Sequence, residues 1–405
     1  MVLKKLSLFF SLVIICNTNA ISQENIKTVL QDTVSYNEEN TQKIIEFANQ
    51  ISQAIHSYDD NAFIAKLNKD RFFDRILNQD KRIDPNDDFV KGFMMGMEEA
   101  LNSFPNEIIT DVRNGSYYDF ISYRYDTDDQ TYYALFRLYS AEAGMNYHDY
   151  RIYKKDGEIQ FSDMYIYLSG EHFTETLGRM LAFSLPQDKI FGVIKTSRDA
   201  EVEDIYKAFL YNSNGEFQKS YDIIDGLKSD LGKEKFLLIF KSLVATNIGE
   251  KEYLKSLEDI INTFPDDPTI YLNKIDYHVY KEEYYEAIQT INQLQNETED
   301  DFLNYLKACI AFEDQNYDMA LNFFEYTKDN YPDFFEGQAG YLNTLVMMKN
   351  YADAVKYLDV LVEEGYEKSV IVEYVEEDDE FGENILEDLV KSKDFKIWKR
   401  KKTKN

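Results

Sequence analysis

Cysteine, tryptophan and histidine are scarce in this 405-residue chain, which holds two, one and four of them. Two cysteines, Cys16 and Cys309, leave no scope for an internal disulfide framework once Cys16 is assigned to a leader. Of the histidines, His56 and His278 stand alone, with no metal-ligand spacing to another His or Cys. Basic side chains are in deficit as well: 44 Lys and Arg face 74 Asp and Glu, for a net charge of -30. A surface of that sign repels phosphate backbones and anionic lipid, which argues against general nucleic-acid binding and a peripheral membrane hold. It suits solubility or a basic partner. Glycine-rich phosphate loops, G-x-S-x-G elbows and H-E-x-x-H pairs are missing, so no catalytic set, cofactor or metal is expected.

What is present begins with a leader. Lys4 and Lys5 precede an apolar run over residues 6–15, and Thr18-Asn19-Ala20 offers small residues where a signal peptidase reads. A run of about ten residues is too short to span a bilayer. Cleavage after Ala20 is expected, with an exported, periplasmic or secreted product. Lipidation at Cys16 is the competing outcome, but Ile15 before it is too bulky for the usual attachment box.

The remaining composition, 44% hydrophobic and 15% aromatic, is ample for packed cores. Residues 25–100 read as helical. Ile44, Ile45, Phe47, Ala48, Ile51, Ala54 and Ile55 recur at helical spacing. A turn follows at 57–60, a second helical segment at 62–77, a loop at 84–87, and a Met-rich helix at 89–104 that ends before Pro105. The period then drops to two. Tyrosine-rich runs at 117–125, 131–139, 147–153 and 158–167 are separated by turns such as Asp126-Thr127-Asp128-Asp129 and Lys155-Asp156-Gly157. Strands joined so tightly pair antiparallel. Ser169 is placed to cap a closing helix at 170–183. Helices followed by a meander describe an α+β domain over 21–190. The order of elements loosely resembles the nuclear-transport-factor-2-like fold.

Polar residues of the meander are its candidate chemistry. His148 and Asp149 are adjacent on a strand and so point to opposite faces. Asp149 and Arg151 share a face, on which Arg137 or Asp163 of neighbouring strands could pair with them. A surface ladder of charges and tyrosines is the plainer expectation. His172, in the first turn of the closing helix, is expected to be solvated.

Beyond residue 199 a different regularity takes over. Small residues at Ser220, Ser256, Ala287, Ala320 and Ala354 are 36, 31, 33 and 34 apart. Four positions after each stands a large apolar residue: Ile224, Ile260, Ile291, Phe324 and Leu358. Three before each stands an aromatic, and Pro268 and Pro332 close two units. Two short helices approach closely only where one contributes a small side chain, which accounts for Ser or Ala there. This pattern over 200–366 resembles the tetratricopeptide repeat, whose period is near 34 residues. Ala208 and Ala308 suit the small position of its first helices, although the family's usual tryptophan and glycine are missing.

The resemblance implies an all-α superhelix whose first helices line a concave groove. Its groove positions fall on Leu272, Asp276 and Val279, then Phe302, Tyr305, Cys309 and Phe312, then Ala339, Asn343 and Val346. Some of these can equally serve as packing between repeats. A lysine–asparagine clamp for a terminal carboxylate would match only at Asn343. The implied activity is an exported bacterial scaffold that holds a protein or peptide partner without catalysis of its own. The other class left open is a small-molecule or enzymatic head supported by the repeats.

Residues 367–405 read as an acidic loop, a short capping helix at 385–390, and a basic tail around Trp398. A calcium loop with Gly382 at its sixth position would put Glu377 and Asp379 at the first and third. Phe381 then occupies the fifth, where an oxygen is needed. A solvated charge run, met by Lys396, Lys399, Arg400, Lys401 and Lys402 of the tail, is the expectation.

Overall fold

The computed structural model describes residues 33–141, 144–185, 197–378 and 382–401. The leader, Cys16, the boundary near Pro186, Asp379, Phe381 and Lys402 lie outside them. The chain divides into two compact units, Met1–Tyr277 and His278–Asn405.

The first unit opens with α1 (Glu38–His56), capped by the Asn37 side chain, which accepts from the Asn40 N–H at 2.8 Å. Its stripe Ile44, Phe47, Ala48, Ile51, Ala54 and Ile55 is buried, as its spacing requires. The segment expected at 62–77 divides into α2 (Asp60–Ile64) and α3 (Lys69–Asn78). Between them Leu67 makes an isolated bridge to Phe161 of the sheet.

The next helix, α4 (Asp88–Arg113), does not stop before Pro105 but passes through it. An interior proline removes one helical hydrogen bond, at a cost of about 3 kcal/mol. Leu101, Phe104, Ile108 and Ile109 continue one buried stripe across it, and their burial offsets that loss.

The meander forms as expected: β1 (Tyr117–Asp126), β2 (Thr131–Ser140), β3 (Gly144–Lys155), β4 (Glu158–Ile166) and a short β5 (Glu171–His172) pair in sequence order, all antiparallel. Tyr118, Phe136, Tyr150 and Phe161 belong to the face that packs with α1, α2 and α4 in one core. The opposite face carries Tyr133, Arg137, Tyr147, Asp149, Arg151 and Asp163, and it is buried too. Every residue of β2 from Thr131 to Tyr139 is buried, so an exposed ladder of charges is not what forms. The closing helix is α5 (Phe173–Ser184), and its cap is His172 rather than Ser169: the His172 N–H donates to Glu175 Oε2 at 3.2 Å. The residues just before it are committed to β5.

Helices follow in pairs. The first unit holds α6 (Ser197–Ser213), α7 (Phe217–Asp225), α8 (Lys235–Ala245) and α9 (Glu250–Thr263). Phe183 of α5 meets Phe209 of α6 and Phe236 of α8 at ring-centre distances of 6.5 and 6.4 Å. The Ser220 hydroxyl donates to the Ala208 carbonyl at 2.8 Å, so α6 and α7 touch through the two small residues. The boundary between the units falls within α10 (Tyr271–Tyr280).

The second unit holds α11 (Tyr284–Thr298), α12 (Leu303–Glu313), α13 (Tyr317–Asn330), α14 (Phe335–Met347) and α15 (Tyr351–Glu363). The turns before α11, α13 and α15 share one geometry. Glu282, Gln315 and Lys349 have φ of 57°, 58° and 60°. The next residue's N–H reaches back five positions, to His278, Ala311 and Leu345, at 2.8 to 2.9 Å. That is a Schellman closure, which seals the carbonyl end of the preceding helix. Ser220, Ser256, Ala287, Ala320 and Ala354 are all 0% exposed, and the large residues four positions on are buried with them. Pro332, by contrast, is exposed.

After Tyr366 the chain is not a loop. Helix α16 (Lys368–Glu376) precedes α17 (Glu387–Lys391) and α18 (Lys393–Arg400). Trp398 is 1% exposed, its indole N–H donates to Asp359 Oδ1 at 2.6 Å, and the Lys368 ammonium lies 4.3 Å from its ring centre. Lys399 pairs with Glu376 at 2.7 Å, so the basic tail does meet the acidic run. Burial of Phe395 and Trp398 nevertheless stabilises these helices more than the exposed ion pair does.

Two tests follow from this packing. A Cβ at Gly340 of α14 would lie 2.2 Å from the Phe324 ring of α13, so Gly340→Ala should cost about 1–3 kcal/mol in denaturant unfolding. Trp398→Ala should cost about 3–5 kcal/mol, whereas Lys399→Gln should change stability by less than about 1 kcal/mol. Equal losses would mean that charge, not apolar burial, holds the C-terminal helices.

Candidate binding site

Within the second unit, α14 and α16 enclose an open cavity of about 240 Å³. Phe335, Ala339 and Leu342 of α14 form one wall, Val370, Ile371 and Tyr374 of α16 the other, and Leu361 of α15 and Tyr366 complete it. The spacing 335, 339, 342 keeps one face of α14 turned inward, and 370, 371, 374 does the same for α16. The lining is almost wholly apolar yet reaches the surface: Phe335 is 46% and Val370 53% exposed. The rings of Phe335 and Tyr374 meet edge to face at 5.2 Å. Burial raises the Tyr374 hydroxyl above its ordinary range, and a hydrogen bond with Asn343 opposes that shift. Glu373 and Glu377 stand at the edge, both exposed and neither in an ion pair among the described residues.

Of the groove positions expected from sequence, Ala339 is on this cavity wall, and Asn343 is tied to the wall through Tyr374. Val346 is buried in the core shared with α15, α16 and α18. Phe302 and Tyr305 pack among aromatics, with Tyr305 only 4.7 Å from the Phe334 ring and 6.1 Å from Phe324. Phe312 meets Tyr317 at 5.5 Å. Cys309 is pushed up to about 12 by burial, so its thiol stays protonated and inert. Leu272 and Asp276 are buried, and Val279 is half-buried. Most of these positions therefore serve packing at least as much as access.

The half of the cavity supplied by α16 was hidden in the sequence by its acidic neighbours. Val370, Ile371, Tyr374 and Val375 recur at one-and-four spacing, which was the signal available.

The polar face of the sheet is knitted together rather than open. Arg137 pairs with Asp119 at 2.7 Å, Arg124 with Asp149 at 3.0 Å, and Arg151 with Asp129 at 2.5 Å. Asp163 accepts from the Thr174 hydroxyl at 2.6 Å and from the Met164 and Thr174 N–H groups at 2.9 and 3.2 Å, with His172 Nδ1 3.6 Å away. His172 is thus half-buried beside a carboxylate rather than solvated. His148 points the other way, as expected, into the helix-facing core. It shares a 3.2 Å hydrogen bond with Tyr118, whose hydroxyl lies 2.5 Å from that of Tyr150. Complete burial lowers the imidazole to about 3, which keeps it neutral at any physiological pH. The isolated His278 lies 2.7 Å from Glu283 across its turn.

Among the described residues no cluster of His, Cys, Asp or Glu could hold a metal, and no helix is long and apolar enough to cross a membrane. No protein-family model, curated protein or solved structure matches the chain.

One of the positions expected to line a groove is instead a buried carboxyl. Asp276 is raised to about 7 by burial, against which the Tyr253 hydroxyl donates at 2.7 Å. Glu107 on α4 is likewise raised to about 7, by burial and then by Asp111. A carboxyl whose folded value is raised holds its proton in the fold and releases it on unfolding. Its contribution to stability is therefore fullest below about pH 4 and is lost as pH rises toward 7. These two carboxyls should favour the fold at about pH 5.5 over about pH 8, while buried neutral His148 acts in the opposite direction over the same window. Asp276→Asn should flatten part of that slope in denaturant titrations, and Glu107→Gln another part. A slope unchanged in both variants would refute the assignment.

Proposed function

We propose that this protein is a tetratricopeptide-type scaffold of the exported class, which binds a partner protein or peptide through apolar contacts in the groove of its repeats. Its role is holding, not catalysis. One observation carries the reading: the apolar cavity between α14 and α16 opens on the helix face where the repeat pattern puts Ala339. Complete burial of the five periodic small residues supports the repeat assignment beneath it. An apolar wall that reaches solvent is the kind of surface that receives partner side chains. The meander serves as a structural head, since its buried Arg137, Asp149 and Arg151 are each held in an ion pair.

Site-specific photo-crosslinking in the full-length protein tests this. A benzoylphenylalanine at position 370, on the exposed rim of the cavity, should yield a discrete adduct in the cell envelope. The same probe at Tyr285 of α11, 71% exposed, should not. Identical adducts at both positions, or none at 370, would overturn the proposal.

A further inference from the structure

We infer that the α14–α16 cavity takes a cationic anchor segment: one large aromatic or branched apolar side chain seated in the cavity, with a lysine or arginine next to it in the chain. This rests on the groove reading and narrows it to a class of partner.

Size comes first. A volume of about 240 Å³ is below the roughly 300–1,000 Å³ that encloses a drug-sized ligand. It admits a single large side chain, and its lining of Phe335, Ala339, Leu342, Val370 and Tyr374 gives that side chain an apolar bed.

Charge decides the rest. Glu373 lies on α16 between Val370 and Tyr374, and Glu377 follows directly after the helix end, so both carboxylates border the cavity. Among the described residues no Lys or Arg lines it. The lysines close to α16 are engaged elsewhere: Lys368 donates to the Trp398 and Lys401 carbonyls, and Lys399 pairs with Glu376. A cation carried by the partner meets two exposed carboxylates that no described lysine or arginine pairs with. The net charge of -30 draws such a partner in from a distance. It also opposes a second copy of this chain as the occupant.

A random dodecapeptide library displayed on phage, panned on the full-length protein at low salt, tests the inference. Enriched peptides should share an aromatic or branched apolar residue within two positions of Lys or Arg. Their binding should weaken about tenfold for Glu373→Gln/Glu377→Gln, a change at exposed positions that leaves packing intact. Raised salt should produce a similar loss. Phe335→Ser and Ala339→Trp should each abolish binding, with circular dichroism confirming that the variants are folded. Peptides that need Phe335 and Ala339 but are neutral or acidic, and indifferent to the Glu373/Glu377 change, would sink the inference and leave the groove reading standing. Peptides indifferent to all the variants, or no enrichment at all, would sink both.

Discussion

Close approach between short helices is the constraint on which the rest of the helical region depends. Two helices of ten to fifteen residues bury little area each, so their contact must be tight to offset the entropy of ordering them. Tightness demands a small side chain at the crossing. Ser220, Ser256, Ala287, Ala320 and Ala354 meet that demand with no exposure. Where the small residue is on the facing helix the logic is the same: Gly340 leaves room for the Phe324 ring, and Gly337 for Thr327. The Schellman turns at Glu282, Gln315 and Lys349 fix the angle at which each chain reverses. The cavity is the space left between α14 and α16.

The sheet solves a different problem. Its central strands β2 and β3 are buried on both faces, yet one face carries arginines and aspartates. Burying such groups is tolerable when each finds a charged or hydrogen-bonded partner. The pairs Arg137–Asp119, Arg124–Asp149 and Arg151–Asp129 provide that. Breaking one partner would leave a buried charge, so these residues are held in place by structure. On the helix-facing side His148, Tyr118 and Tyr150 satisfy one another in the same way, in neutral form.

Strands were legible because alternation over eight to ten residues, punctuated by Asp126–Asp129 and Asp156-Gly157, has few other physical readings. The helix hairpins were legible because a small residue recurring near every 34 positions reports a repeated contact. Pro105 misled, since a local rule against interior proline yields to a buried stripe that continues past it. The acidic run misled too. Glu373, Glu376 and Glu377 drew the eye to charge, while Ile371, Tyr374 and Val375 beneath them were already spaced as a helix. Burial on the far face of the sheet left no mark in the sequence, because charged side chains read as solvent-facing until their partners are known.

Local order was therefore written in the chain itself: strand period, turn chemistry, and the beat of small residues. Those features act between neighbours in sequence, or between neighbours of a repeated unit, so spacing alone encodes them. Which charges would be paired and hidden, and which apolar residues would stay uncovered, depended on segments dozens of positions apart coming together. Phe335 and Val370 are ordinary core residues by composition. Only the tertiary arrangement, by setting α14 against α16 without filling the space between them, turned them into an open wall.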